Sequence, residues 1–177
     1  MTIDELSLRD IGFQENKFIT RANSRIKKIY NAITLNRINE VQHFMSDMLY
    51  YNICNIINDN ALKKVRVMYT EVNVTSNIKR IEEDAAFYKI IVGVICRYLK
   101  YYVDSETMEY ISGDRNNRVV VSQDVEFMKK KDSKAFNVFR CFGCGTNFNI
   151  NESGICPNCG RVYDLDELDY IIKDIEI

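Results

Sequence analysis

The run FYKIIVGVICRYLKYYV, residues 87–103, decides how this chain folds. Apolar side chains fall on both its odd and its even positions. A strand with one wet face alternates cleanly, whereas a strand apolar on both faces belongs in the middle of a sheet. The run therefore predicts a long central strand, with a neighbour on each side.

Both neighbours are legible. Upstream, Val65, Val67 and Tyr69 alternate with Arg66 and Met68, and Val72 and Val74 resume one residue out of step, as a strand with a bulge does. A short polar turn is expected around Ser76 and Asn77. Downstream, hairpin turns are expected at 104–107 and at Gly113–Asp114, and residues 118–128 read as a strand with one buried face. Val119, Val121, Val125 and Phe127 point one way, and Arg118, Ser122, Asp124 and Glu126 the other.

Before the sheet the period changes. Phe18, Ala22, Ile26, Ile29 and Ile33 follow the three-and-four spacing of an amphipathic helix over 16–33. Along its flank Lys17, Arg21, Arg25 and Lys28 form a basic strip. Such a strip suits anionic lipid or an acidic partner, and equally the solvated face of a packed helix. Asn36 is placed to cap a second helix over 37–58. The lone histidine, His43, lies there without the company that catalysis needs and reads as a surface or interfacial residue. Helices segregated to one face of an antiparallel meander make an α+β domain. It should end near Lys131, where MKKKDSK is charged and lacks apolar periodicity.

Beyond it stand four cysteines, Cys141-x-x-Cys144 and Cys156-x-x-Cys159, with eleven residues between the pairs. A two-residue gap lets one tight turn aim two thiolates at a single ion, and Gly145 and Gly160 follow the second ligand of each pair, where positive φ is needed. Reduced structural cysteines or a redox pair explain two glycine-followed pairs less well. The spacing predicts a zinc ribbon over 135–163, with two short strands between the pairs. Four cysteines leave no ligand position open for water, so the expected Zn2+ is structural. Cys54 and Cys96, in apolar stretches, read as buried hydrophobes. The tail 164–177 reads as a helix, begun by a capping-box-like Asp164 and Glu167, with Leu165, Leu168, Ile172 and Ile175 on one face.

Composition narrows the function. With 177 residues, 46% hydrophobic and 28% charged, the chain can bury one moderate core and a stapled module. A net charge of −1 and a pI near 5.9 offer no general attraction to phosphate backbones. Residues 140–163 hold only Arg140 and Arg161 as bases, which argues against a nucleic-acid ribbon. The opening MTIDELSLRD is unlike a signal peptide, the longest charge-free apolar run, 90–96, is too short to span a bilayer, and thiolate ligands suit a reducing compartment. A cytoplasmic protein is expected, with contact at the inner face of a membrane as an extension.

The order of parts resembles bacterial members of the C-terminal-domain family of translocase-of-inner-membrane subunit forty-four. The similarity is carried by the first helix with Phe18, by FMSDMLY (44–50), by YYVDSETMEYISGD (101–114), by VEFMK (125–129), by the ribbon NINESGICPNCG (149–160) and by the tail LDYIIKDI (168–175). The resemblance implies a cone-shaped α+β fold of the nuclear-transport-factor-like type around an apolar pocket. It also implies non-catalytic work: scaffolding, membrane-surface attachment, or binding a hydrophobic ligand or peptide. Val125 and Tyr170 stand where many members carry tryptophan, and the membrane anchor common in bacterial members is not expected here.

Three units are thus expected: a cone-like domain over 1–134, the ribbon over 135–163, and a terminal helix over 164–177. The leading function is a zinc-ribbon binding or scaffold protein with a protein partner. A transcription-associated ribbon and a cone-fold enzyme using Asp84 or Asp104 are the alternatives.

Overall fold

A computed structural model describes residues 1–10, 13–131, 139–141, 143–148, 155–162 and 170–177. The central-strand expectation is met. Strand β1 (Val65–Glu83), β2 (Phe87–Asp104) and β3 (Tyr110–Lys130) form an antiparallel meander with β2 hydrogen-bonded on both sides. One face of β2 supplies Tyr88, Ile90, Val92, Val94, Cys96 and Tyr98 to the core.

Two helices cover that face. Helix α1 (Ile3–Arg9) was not foreseen, although its signal is local: the Thr2 hydroxyl accepts the Glu5 amide and the Glu5 carboxylate accepts the Thr2 amide, a complete capping box. Helix α2 (Glu15–Leu35) lays Phe18, Ala22, Ile26, Ile29 and Ile33 on the sheet, as its spacing predicts. At its centre Tyr30 packs against Tyr69 and Tyr98, with ring centroids 5.0 and 5.1 Å away.

The second helix begins later than expected. Asn36 does not cap it but ends α2 in the left-handed conformation (φ 59°), its amide donating to the Ala32 and Ile33 carbonyls. Asparagine tolerates that conformation better than most residues, so the same side chain suits either end of a helix. A 3-10 helix then spans Ile38–Phe44, and α3 (Asp47–Leu62) starts at Ser46, whose hydroxyl accepts the Leu49 amide at 3.2 Å. Apolar residues run through both segments, so periodicity alone did not show the break.

Three details of the meander differ from expectation. No turn interrupts Ser76 and Asn77, because β1 continues to Glu83. The expected bulge is present, however, between Thr70 and Asn73, with Glu71 at φ 54°. At Gly113–Asp114 the strand also continues, but the register jumps from Lys100↔Asp114 to Tyr98↔Val119. The Asp114 carboxylate accepts the Asn116 and Asn117 amides at 2.8 Å each, so a turn-like excursion is held inside the strand. Val125 and Phe127 are fully buried, whereas Val119 is exposed, because the outer half of β3 runs beyond the helices.

The larger correction concerns the tail. Residues 163–169, including Asp164, Leu165, Glu167 and Leu168, lie outside the described residues. Ile171–Asp174 is a strand, not a helix, and pairs antiparallel with β3 at 126–128. The cysteine segment contributes β4 (Phe139–Arg140) and β5 (Asn147–Phe148), so this tail strand is β6, and the main sheet runs β1-β2-β3-β6. Ile172 and Ile175 fit a helical stripe in the sequence, but the unpaired edge of β3 offers backbone partners that a helix would leave vacant. The described tail strand therefore extends the main sheet. The cysteine segment is an insertion between two strands of one sheet.

Candidate metal centre

The cysteine segment folds around its two C-x-x-C turns. The first is flanked by the β4–β5 pair, the second by a bridge between Ile155 and Val162. Of the two strands expected between the pairs, β5 lies there, whereas its partner β4 precedes Cys141, and residues 149–154 lie outside the described residues. The turns share one hydrogen-bond pattern: the Cys141 amide donates to the Thr146 carbonyl and the Gly145 amide to the Cys141 carbonyl, while Cys156 and Gly160 repeat this with Arg161 and Cys156. Gly145 (φ 75°) and Gly160 (φ 73°) adopt the conformation their positions predict.

The result brings all four predicted ligands together. The sulfurs of Cys141, Cys144, Cys156 and Cys159 lie within 4.8 Å of one another, with Cys141 and Cys159 at 3.5 Å and Cys144 and Cys156 at 3.7 Å. A tetrahedral thiolate site with metal–sulfur bonds of about 2.3 Å has sulfur–sulfur edges of about 3.8 Å. The donor set and its spacing fit a metal ion. Backbone amides already face the sulfurs, with Gly143 donating to Cys141 Sγ at 3.3 Å. Hydrogen bonds from the Asn158 side chain, and then from the Thr146 side chain and amide, hold the Cys144 thiol below its ordinary value. Against the pull of the Arg161 amide, its thiol neighbours push Cys159 up, as expected for four thiols crowded together. Cys54 and Cys96 are elsewhere, half-buried and buried.

The tail strand is fixed by a cluster that the sequence reading did not single out. Tyr170 is buried, its hydroxyl donates to Asp10 at 2.8 Å, and its carbonyl accepts from the Arg25 guanidinium. Lys129 Nζ reaches the other Asp10 oxygen at 2.7 Å and lies 5.4 Å from the Tyr170 ring. Phe18 meets that ring edge-on at 5.3 Å. The Ser46 amide and hydroxyl hold the Ile172 and Lys173 carbonyls at 2.9 and 2.7 Å. No periodicity marks Asp10 or Lys129, since Asp10 meets partners 119 and 160 positions away.

This cluster revises the basic strip. Arg25 points inward and is buried, so the four bases do not form one exposed row. Lys17 and Lys28 are exposed and Arg21 is half-buried, with Lys28 5.3 Å from the Phe44 ring. His43 is half-buried against the same ring. Burial, with Arg25, Lys28 and Arg161 nearby, lowers its pKa to about 4, so it is neutral at pH 7.

The two carboxylates considered for catalysis serve turns. Asp84 accepts the Ala86 and Phe87 amides and pairs with Lys89 at 2.7 Å. The Lys89 hydrogen bond and then those amides bring its carboxyl to about 2. Asp104 likewise accepts the Glu106 and Thr107 amides. A cleft of about 80 Å³ between Ile33, Ile57 and Val67, and a crevice of about 10 Å³ beside Phe18 and Tyr170, are both far below the several hundred Å³ of a small-molecule pocket. Among the described residues no helix is long and apolar enough to cross a membrane.

Helices on one face of an antiparallel sheet, interrupted before the last strand by a cysteine cluster able to hold a metal ion, define an α+β domain of the cone-like class. A family model described as the Tim44-like domain matches residues 1–138, and the chain belongs to that family. No curated protein matches the chain. Among solved structures, the intermembrane-space region of the chloroplast protein ARC6 is similar at 10% identity and a TM-score of 0.43, over 92% of this chain and 94% of that one. A Tim44-like domain with a cysteine cluster fits a non-catalytic binding or scaffold role.

Proposed function

We propose that the protein is a protein-binding scaffold in which Cys141, Cys144, Cys156 and Cys159 hold one structural Zn2+. The observation that carries this reading is the convergence of four thiols into a closed set, since four protein ligands fill a tetrahedral shell and leave none for substrate. Zinc suits an all-sulfur tetrahedral site with no redox demand. The ion closes an inserted loop whose two ends join strands of one sheet.

A protein partner is favoured because the chain belongs to the Tim44-like family and its four-thiol set, once closed on an ion, leaves no position for a small ligand. It is favoured over a lipid surface because Arg25 is committed to the tail. A thiolate site suits a reducing compartment, which supports the cytoplasm as the proposed location. Affinity capture with the intact chain tests the reading. A defined protein partner should be recovered, and Cys141→Ser should either release it, if the module is the contact, or retain it, if the domain is. Recovery of nucleic acid instead, or of no protein at all, would sink the proposal.

A further inference from the structure

Helix α3 is dressed unlike a surface helix. Its sixteen residues contain no Lys, Arg or Glu, and its only charges are Asp47 and Asp59. It buries only Leu49 and Ile53. On the opposite side Met48, Tyr51 and Leu62 are 75%, 65% and 84% exposed. At about 100° per residue, Met48, Tyr51, Asn55 and Leu62 share one outer stripe, with the exposed Asp59 on its edge beside Met48.

The stripe has a symmetry that identifies its occupant. Met48 and Leu62, its two most exposed apolar residues, each stand seven positions from Asn55. If two copies of α3 pack antiparallel across a two-fold axis at Asn55, each Met48 meets the Leu62 of the other copy. The two Asn55 amides then face each other, where they can exchange hydrogen bonds. The ends agree: Asp47 opens the helix, and the exposed Lys63 and Lys64 follow it. Antiparallel packing sets the acidic end of each copy beside the basic end of the other, whereas parallel packing would set like beside like. A two-fold interface requires this kind of self-complementary patch. Lipid fits the stripe poorly, because Asn52, Asn55 and Asn58 lie along it and hydrocarbon offers amides no partners.

We infer that α3 is a homodimer interface, pairing antiparallel with a second copy of this chain about Asn55. A single helix pair is a small contact, so the dissociation constant should be on the order of 100 µM. Sedimentation equilibrium of the full zinc-loaded chain under reducing conditions tests this. Wild type should show reversible dimerisation, and Met48→Lys and Leu62→Lys should each weaken it roughly tenfold or more. Both sites are exposed, so thermal unfolding should be unchanged. The double variant Met48→Lys/Leu62→Glu should recover much of the affinity, because in the antiparallel register each lysine meets a glutamate. A wild type that stays monomeric to about 1 mM would overturn the inference. So would variants that leave association unchanged, a double variant no tighter than the single ones, or a monomer whose Met48 instead mediates binding to phospholipid vesicles.

Discussion

The helix-and-sheet body and the cysteine module are stabilised in opposite ways. In the body, a continuous cluster of apolar side chains runs from Leu6 through the face of β2 to Ile175. In the module, the residues described as buried are Cys141 and Cys156. The body is specified many times over, by every apolar position of every strand and helix, so its ordering energy is distributed. The buried residues described in the module are two of its four clustered cysteines, so we expect its ordering energy to be concentrated at the four sulfurs. Yet they are not independent in chain order: the chain leaves the sheet after β3, passes through the module and returns as β6.

The sharpest way to break the comparison is to damage the body and watch the module. Phe127 is fully buried and meets Phe18 edge-on at 5.3 Å. Phe127→Ala should cost about 3–5 kcal/mol in urea unfolding, through lost burial and the cavity left behind. The affinity of the four cysteines for zinc, measured by chelator competition, should be unchanged. A parallel fall in metal affinity would show that the two regions form one cooperative unit.

Next in size is the seam between them. Asp10→Ala leaves Lys129 without its carboxylate in a part-buried site and removes the acceptor of the Tyr170 hydroxyl. We expect a loss of about 2–3 kcal/mol, because a charge-assisted contact and a buried hydroxyl's hydrogen bond are removed together. Amide exchange at 171–175 should quicken most. Unchanged exchange there would mean that the aromatic contacts alone hold the tail.

A smaller effect is tied to pH. The pKa of His43 in the folded chain, about 4, lies below the unfolded value near 6.5. Between those values the unfolded chain binds more protons, so stability is complete above pH 6.5, falls as pH drops toward 4, and levels below it. Discounted for the partial exposure of the ring, the loss should be about 2 kcal/mol, and His43→Gln should flatten this part of the profile. An unchanged slope would assign the acid sensitivity to other groups.

The smallest effect probes the far face of the sheet. A Cβ at Gly93 would lie 2.6 Å from Lys79 Cε, where the lysine crosses β2 to pair with Asp124. Gly93→Ala should displace this flexible side chain and cost under about 1 kcal/mol, since an exposed ion pair contributes little. A larger loss in thermal unfolding would mean that the backbone, and not Lys79, gives way.

The comparison also explains what was legible in the sequence. Strand β2, helix α2 and the four cysteines were readable because their signals are local: apolar residues on both faces, a three-and-four spacing, and two glycine-followed pairs. Helix α1 also had a local signal in Thr2 and Glu5, but its single buried residue, Leu6, makes no periodic stripe. The start of α3 was obscured because Asn36 serves the end of one helix as readily as the beginning of another. The tail failed for a different reason. Ile172 and Ile175 suit a helix locally, and only the vacant edge of β3 makes 171–174 a strand. Arg25 was likewise read as part of a basic row, whereas its partner is the carbonyl of Tyr170, far along the chain.

The central claim is that one zinc ion, held by four thiolates, orders the module while apolar burial orders the body. Native mass spectrometry of the reduced, intact chain, combined with elemental analysis, tests it most directly. The account predicts one zinc per chain, lost in Cys141→Ser and Cys156→Ser variants whose bodies still unfold at the wild-type urea concentration. A wild-type chain that binds no zinc at physiological pH, or cysteine variants that retain it with undiminished affinity, would contradict the account.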